Sequence, residues 1–222
     1  MPDSMGSQGG FVTFEGGDGV GKSTQAWLLA QRLEECGHRV VLTREPGGCP
    51  FSETLRDLLV AGQPQSIHAK TELLLMLAAR VEHVRQLIQP ALHQGQWVVS
   101  DRFFDSTLAY QGFGRGIDLS FLSMLNRWAI GDLVPHVTFL LVMDPQEGLL
   151  RAGKKCAISG SHRVETRFER EGELFQQRVN EGFIELARQD RSRFRSIDAG
   201  GSQENIAREI WATVKGVFPD VE

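Results

Sequence analysis

Residues 11–24 read FVTFEGGDGVGKST, and the rest of the chain is arranged around them. Phe11–Glu15 has the length and apolar character of a short buried strand, and Gly16-Gly17 stops it. The next positions, Gly16, Gly17, Asp18, Gly19, Val20, Gly21, Lys22, Ser23 and Thr24, match G-x-x-x-x-G-K-[ST]. After Gly21, Ala26, Leu29, Ala30 and Leu33 recur at helical spacing as far as Cys36, and Gly37 follows as a cap. The motif therefore lies between a strand and a helix, where it forms a phosphate-binding loop. Its glycines let backbone N–H groups turn inward toward phosphate oxygens, and the helix start adds its positive dipole end. Lys22 supplies a cation for the β- and γ-phosphates, and the Ser23 hydroxyl is a hard oxygen donor suited to Mg²⁺. Chance would give the bare pattern in roughly one chain of this size in a hundred, before the strand–loop–helix context is counted. A nucleoside triphosphate is the expected ligand.

Further strands are expected at Arg39–Thr43, Trp97–Ser100, Val137–Met143 and Phe194–Ile197, with helices at Ser52–Val60 and Ala69–His93. Strands alternating with helices imply an α/β fold, a parallel sheet covered on both faces. The 222 residues suit one domain over 11–218 behind a frayed Gly/Ser-rich tail, 1–10. Lys plus Arg number 24 against 28 Asp plus Glu, a net charge of −4 that argues against nucleic acid as a partner. Val137–Met143, a strand-sized apolar stretch, is too short for a membrane span, and no signal peptide is readable. Three scattered cysteines form neither a disulfide framework nor a zinc pattern, so the chain reads as cytoplasmic. Residues 151–195 hold 11 of the 24 basic residues. Composition fits both a solvated helix pair joined by a loop and a basic lid over an anionic substrate.

No N-K-x-D string is present to read guanine, and the chain is too short for a motor or pump. Small kinases remain. Arg44, in Thr43-Arg44-Glu45-Pro46-Gly47-Gly48, follows the second strand at the edge where open α/β sheets bind ligands, and its fork suits phosphate. Asp101 and Arg102 end the third strand close to the loop, where a carboxylate can serve Mg²⁺ and an arginine can hold a second substrate's phosphate. Met76 and Arg80 lie four apart on one helix face, with Arg80 placed to reach a base carbonyl.

Together, F-E-G-x-D-G-x-G-K-S-T, T-R-E-P-G-G, E-L-L-L-x-x-A-A-R, D-R-F-x-x-S-T-x-A-Y-Q-G and the late I-D-A resemble bacterial thymidylate kinases from Phe11 to about Val214. The resemblance implies the P-loop nucleoside-monophosphate kinase fold, with a five-stranded parallel sheet in the order 2-3-1-4-5. It also implies a homodimer and ATP-dependent, Mg²⁺-assisted phosphorylation of dTMP to dTDP, a step of thymidine nucleotide biosynthesis. Carried over position by position, it gives residues 16–24 the ATP phosphates and Asp18 a place near the dTMP sugar and phosphate. Arg44 and Arg102 take the dTMP phosphate, Asp101 positions Mg²⁺, and Arg80 reaches thymine O4. Tyr110 packs on the deoxyribose, Gln111 lies near the base, and the loop after Ile197-Asp198-Ala199 meets adenine.

Some members of the family carry a catalytic arginine in the phosphate loop and others on the lid. The variable loop positions here, Gly17, Asp18, Gly19 and Val20, are not basic. The arginine is therefore expected from a lid at about 151–170, with Arg163 and Arg167 ahead of Arg151, Lys154 and Lys155. Three departures from the family pattern stand out. Thr166-Arg167-Phe168-Glu169 replaces D-R-x-E, Met76 replaces an aromatic residue, and Cys49 replaces Thr. The rival readings are a kinase for another monophosphate and a non-catalytic phosphate-loop switch.

Overall fold

The computed structural model describes residues 9–60, 67–143, 168 and 171–221. Five strands, β1 (Phe11–Glu15), β2 (Val40–Arg44), β3 (Trp97–Asp101), β4 (Val137–Val142) and β5 (Phe194–Asp198), form one sheet in the order β2-β3-β1-β4-β5. Every pairing is parallel, as the strand–helix alternation implies. β1, β3 and β4 are nearly continuous apolar runs because they are buried on both faces. Between the strands come α1 (Lys22–Glu35), α2 (Pro50–Val60), α3 (Ala69–His83) and α4 (Gln89–His93). They are followed by α5 (Phe104–Thr107), α6 (Leu119–Ile130), α7 (Glu173–Gln189) and α8 (Gln203–Val217).

On one face, Ala26, Leu29 and Leu33 of α1 and Ile206, Ile210 and Val214 of α8 pack on Val12, Phe14, Val99 and Phe139. On the other, Ile88, Ala91 and Phe103 cover Phe11 and Val98, while Val179 and Phe183 of α7 cover Leu140.

The expected long helix at 69–93 is present, but it passes through a wider turn at Val84–Ile88 before α4. Pro90 offers no N–H to Gln86 one turn back, and the Gln89 N–H bonds Val84 five residues back instead. Helix α6 has no counterpart in the sequence reading. The Asp118 carboxylate caps it by accepting from the Phe121 N–H, and Gly131 ends it at φ 64°. A second wide-turn segment, Leu108–Gly114, carries Tyr110 and Gln111.

Two residues of the stretch expected as a tail, 1–10, are described. Gly9 and Gly10 are buried, and the Gly10 carbonyl accepts from Val98 N–H. Residues 1–8 lie outside the described residues, as does 151–170 apart from Phe168.

Phe139 is fully buried in β4 and stacks on Phe14, with ring centroids 5.3 Å apart. Phe139→Ala should destabilise the fold by about 3–5 kcal/mol, read from urea unfolding at equilibrium.

Candidate active site

All five strands run in one direction, so the turns at their carboxyl ends gather on one edge of the sheet. A cleft of about 570 Å³ opens there, walled by the phosphate loop, the β2 and β3 tips, α3 and the start of α8.

The loop depends on its glycines where the backbone is left-handed. Gly16 has φ 131°, and a Cβ there would stand 2.4 Å from the Leu141 carbonyl oxygen. Gly21 has φ 100° at the start of α1. Lys22 is buried and donates to the Gly17 carbonyl at 2.5 Å. Burial first, and the nearby Arg102 cation second, push its ammonium down to about 8. The Ser23 hydroxyl donates to Asp101 Oδ2, while Asp101 Oδ1 is buried without a hydrogen-bond partner among the described residues.

Arg102 follows β3 at φ 74°, a left-handed backbone on a residue with a Cβ. This turn throws its side chain across the loop. Nη1 donates to the Gly16 carbonyl at 3.0 Å and to Ser106 Oγ at 3.1 Å. Nη2 donates to Asp18 Oδ1 at 2.8 Å and to Tyr110 Oη at 3.0 Å. Tyr110 is buried against Phe168 and Phe183, and burial raises its phenol above the usual range. Arg44 is half-exposed and pairs with Glu53 at 2.9 Å.

Arg80, on α3, borders the cleft. It is 3% exposed and already donates from four of its five N–H groups. Glu45 Oε2 takes Nε at 2.7 Å, and Thr107 Oγ1 and Asn126 Oδ1 share Nη1 at 2.8 Å each. The Phe103 carbonyl takes one Nη2 hydrogen at 3.2 Å, which leaves a single N–H for a ligand. Met76 and Gln111 also line the cleft. Arg163 and Arg167 lie outside the described residues.

Several cleft residues escaped the sequence reading. Arg56 of α2 lines the wall near Arg44 and donates to the Pro46 carbonyl at 2.7 Å. Nothing in the sequence marks it, because its reach depends on how α2 packs. Phe168 forms part of the wall beside Tyr110. Behind the lining residues Phe103 and Ser106, Glu15 is fully buried and accepts from Phe103 N–H at 2.8 Å and Ser106 Oγ at 2.6 Å. Burial and the neighbouring Asp105 push its carboxyl up to about 8.

A triphosphate loop thus faces a second arginine-lined wall within one cleft. The family model for thymidylate kinase matches residues 14–210. The chain belongs to the thymidylate kinase family. It is 49% identical to a thymidylate kinase of Magnetococcus marinus over 95% of this chain and 98% of that protein. With the thymidylate kinase of Syntrophotalea carbinolica the identity is 45%, over 94% of this chain and 96% of that one. A crystal structure of thymidylate kinase from Ehrlichia chaffeensis superposes with a TM-score of 0.73 at 36% identity, covering 93% of this chain and 98% of that chain.

The depressed Lys22 has a measurable consequence. Phosphate oxygens stabilise the ammonium, so a bound triphosphate moves it back toward its ordinary 10.5. The bound form then holds the proton more tightly. Affinity is greatest below the free value of about 8 and falls as pH rises through it. Calorimetry with ATP in buffers of different ionisation enthalpy should show proton uptake above pH 8, absent in Lys22→Met.

Proposed function

We propose that the chain transfers the γ-phosphoryl group of ATP to dTMP, giving dTDP and ADP, by in-line displacement without a covalent intermediate. The observation that carries this reading is the pairing of two anion sites in one cleft. The phosphate loop is one, and Arg44, Arg56 and Arg102 form the other. A nucleoside acceptor brings no phosphate to hold, and a nucleotide switch needs no second site.

An oxygen of the dTMP phosphate is the nucleophile. It is largely ionised at neutral pH, so no strong general base is required. The protein's part is positioning and charge neutralisation. Residues 16–24 hold the ATP phosphates, with Lys22 at the β- and γ-oxygens. Arg44, Arg56 and Arg102 face the acceptor phosphate, with Asp18 beside its sugar and Tyr110 as a wall against the deoxyribose. Met76, Arg80 and Gln111 surround the base, and Arg163 or Arg167 supplies the transition-state cation.

The donor set at Ser23 and Asp101 fits Mg²⁺. Two hard oxygens lie side by side and one carboxylate oxygen has no hydrogen-bond partner among the described residues, and Mg²⁺ bound to a triphosphate takes most of its ligands from phosphate and water. Ser23 and Asp101 would hold the ion, which when bound neutralises charge on the triphosphate.

A homodimer belongs to the same reading. Phe51 and Leu58 of α2, Leu74 of α3, and Phe121, Met124 and Trp128 of α6 are exposed on helices that pack against one another, Trp128 at 78%. A cytoplasmic location is supported by Cys36 and Cys49, both free thiols. No helix of the described residues is long and apolar enough to cross a membrane.

A coupled ADP-release assay with ATP, Mg²⁺ and a panel of dTMP, dUMP, dCMP, AMP, GMP and thymidine tests the reading. Selective turnover of dTMP is expected, and selectivity for another acceptor would overturn it. Lys22→Ala should abolish turnover while leaving dTMP binding mostly intact. Of Arg163→Ala and Arg167→Ala, one should lower kcat by about 10³-fold or more, and two near-wild-type variants would remove the lid arginine from the mechanism.

A further inference from the structure

Gln111 reaches the cleft from the wide-turn segment Leu108–Gly114, and its side chain is 99% hidden from solvent in a setting that fixes its polarity. Its Nε2 donates to Glu72 Oε1 at 2.8 Å. Glu72, on α3, is fully buried, and its carboxylate also accepts from Arg115 through Nε at 3.3 Å and Nη2 at 3.0 Å. Arg115 is held in turn by Glu171 and lies over the Phe175 ring, 4.8 Å from its centroid.

A carboxylate only accepts hydrogen bonds, so it demands the amide nitrogen of Gln111 and turns the oxygen away. Gln111 Oε1 receives no hydrogen bond from any described residue. Gln111 lines the cleft, and this unpaired oxygen is the acceptor it has to offer there.

We propose that Glu72 is a positioning residue for base selection, locking the Gln111 carboxamide so that only a base presenting an N–H donor is accepted there. The proposal rests on the reading of dTMP as acceptor. Thymine and uracil carry N3–H, whereas cytosine carries a bare N3 lone pair that would face the Gln111 oxygen. Arg80, with its one uncommitted N–H, supplies the complementary donor for a base carbonyl. Acceptor and donor side by side match an imide edge, and each is oriented by a buried carboxylate, Glu72 for Gln111 and Glu45 for Arg80.

The test is Glu72→Gln. The introduced carboxamide turns its oxygen to the Arg115 cation and offers its NH₂ to Gln111, which flips and presents its own NH₂ to the cleft. The expected result is a fall in kcat/KM for dTMP and dUMP together and an absolute rise for dCMP. Their ratio should change by about tenfold or more, since sites built on hydrogen bonds discriminate through groups left unpaired. A loss of packing lowers all three substrates and cannot raise one. Uniform loss, or an unchanged ratio, would overturn the lock.

Where Glu72→Gln fails to fold, Gln111→Met carries the test. It removes the acceptor and should bring dTMP and dCMP closer by a similar factor, and full discrimination in that variant would overturn the proposal. Wild-type turnover of no pyrimidine monophosphate would instead refute the dTMP reading itself.

Discussion

Arg102 occupies a left-handed turn at φ 74°, and the site is built around that one conformation. A side chain in this region costs on the order of 1–3 kcal/mol, so the surroundings must hold it there. They do so from three directions. Its N–H donates to the Phe14 carbonyl at 2.9 Å, and Ser100 Oγ donates to its own carbonyl at 2.7 Å. The next N–H, of Phe103, is taken by buried Glu15. With the backbone fixed, the guanidinium bridges the phosphate loop at Gly16 and Asp18 to the Ser106–Tyr110 segment. One arginine thus ties the phosphate loop to the facing wall of the cleft.

Buried ion pairs lie behind the cleft and between the sheet and its helices. Glu45 accepts from Arg80 at 2.7 Å and pairs with His83 at 3.0 Å, and Glu72 accepts from Arg115. Asp105 takes both Nη groups of Arg193, at 2.6 and 2.9 Å. Buried pairs of this kind add little net stability, because desolvation offsets most of the Coulombic gain. Apolar side chains of equal volume would hold the sheet as well. What they could not supply is direction. A hydrogen-bonded guanidinium or carboxamide is held in one orientation, and its polarity toward the cleft is set by its hidden partner.

The contrast between what was legible in the sequence and what was not follows the range of the interactions. β1, β3 and β4 were legible because burial on both faces leaves nearly continuous apolar runs, the edge strands β2 and β5 because short apolar segments alternate with helices, and the phosphate loop because its motif is local. Strand ends moved by a residue or so, as with Arg44, which joins β2 by pairing with Asp101. Helix α6 was missed although its Asp118 cap is local, since its apolar positions divide between the core (Leu122, Ile130) and an exposed face (Phe121, Met124, Trp128). The roles of Glu45 and Glu72 were hidden for a different reason. Their partners Arg80 and Arg115 lie 35 and 43 residues away, a separation that only the packed helices close.

The same partnering bears on how the cleft uses binding energy. Lys22, Arg44, Arg56 and Arg102 converge in a chain whose net charge is −4, and each already donates to an oxygen of the protein. A phosphate entering the cleft exchanges one acceptor for another at these donors. The net gain per contact is smaller than bare charge counting suggests. Tight ground-state binding would lower KM without raising kcat. Arginines already aimed by carbonyls and carboxylates of the fold need little reorganisation as charge develops on the transferring group. That preorganisation is where electrostatic catalysis gains most. The carboxylates Asp18 and Glu53, paired with Arg102 and Arg44, therefore serve these cations as much as they oppose the anions, by holding them in place in the cleft.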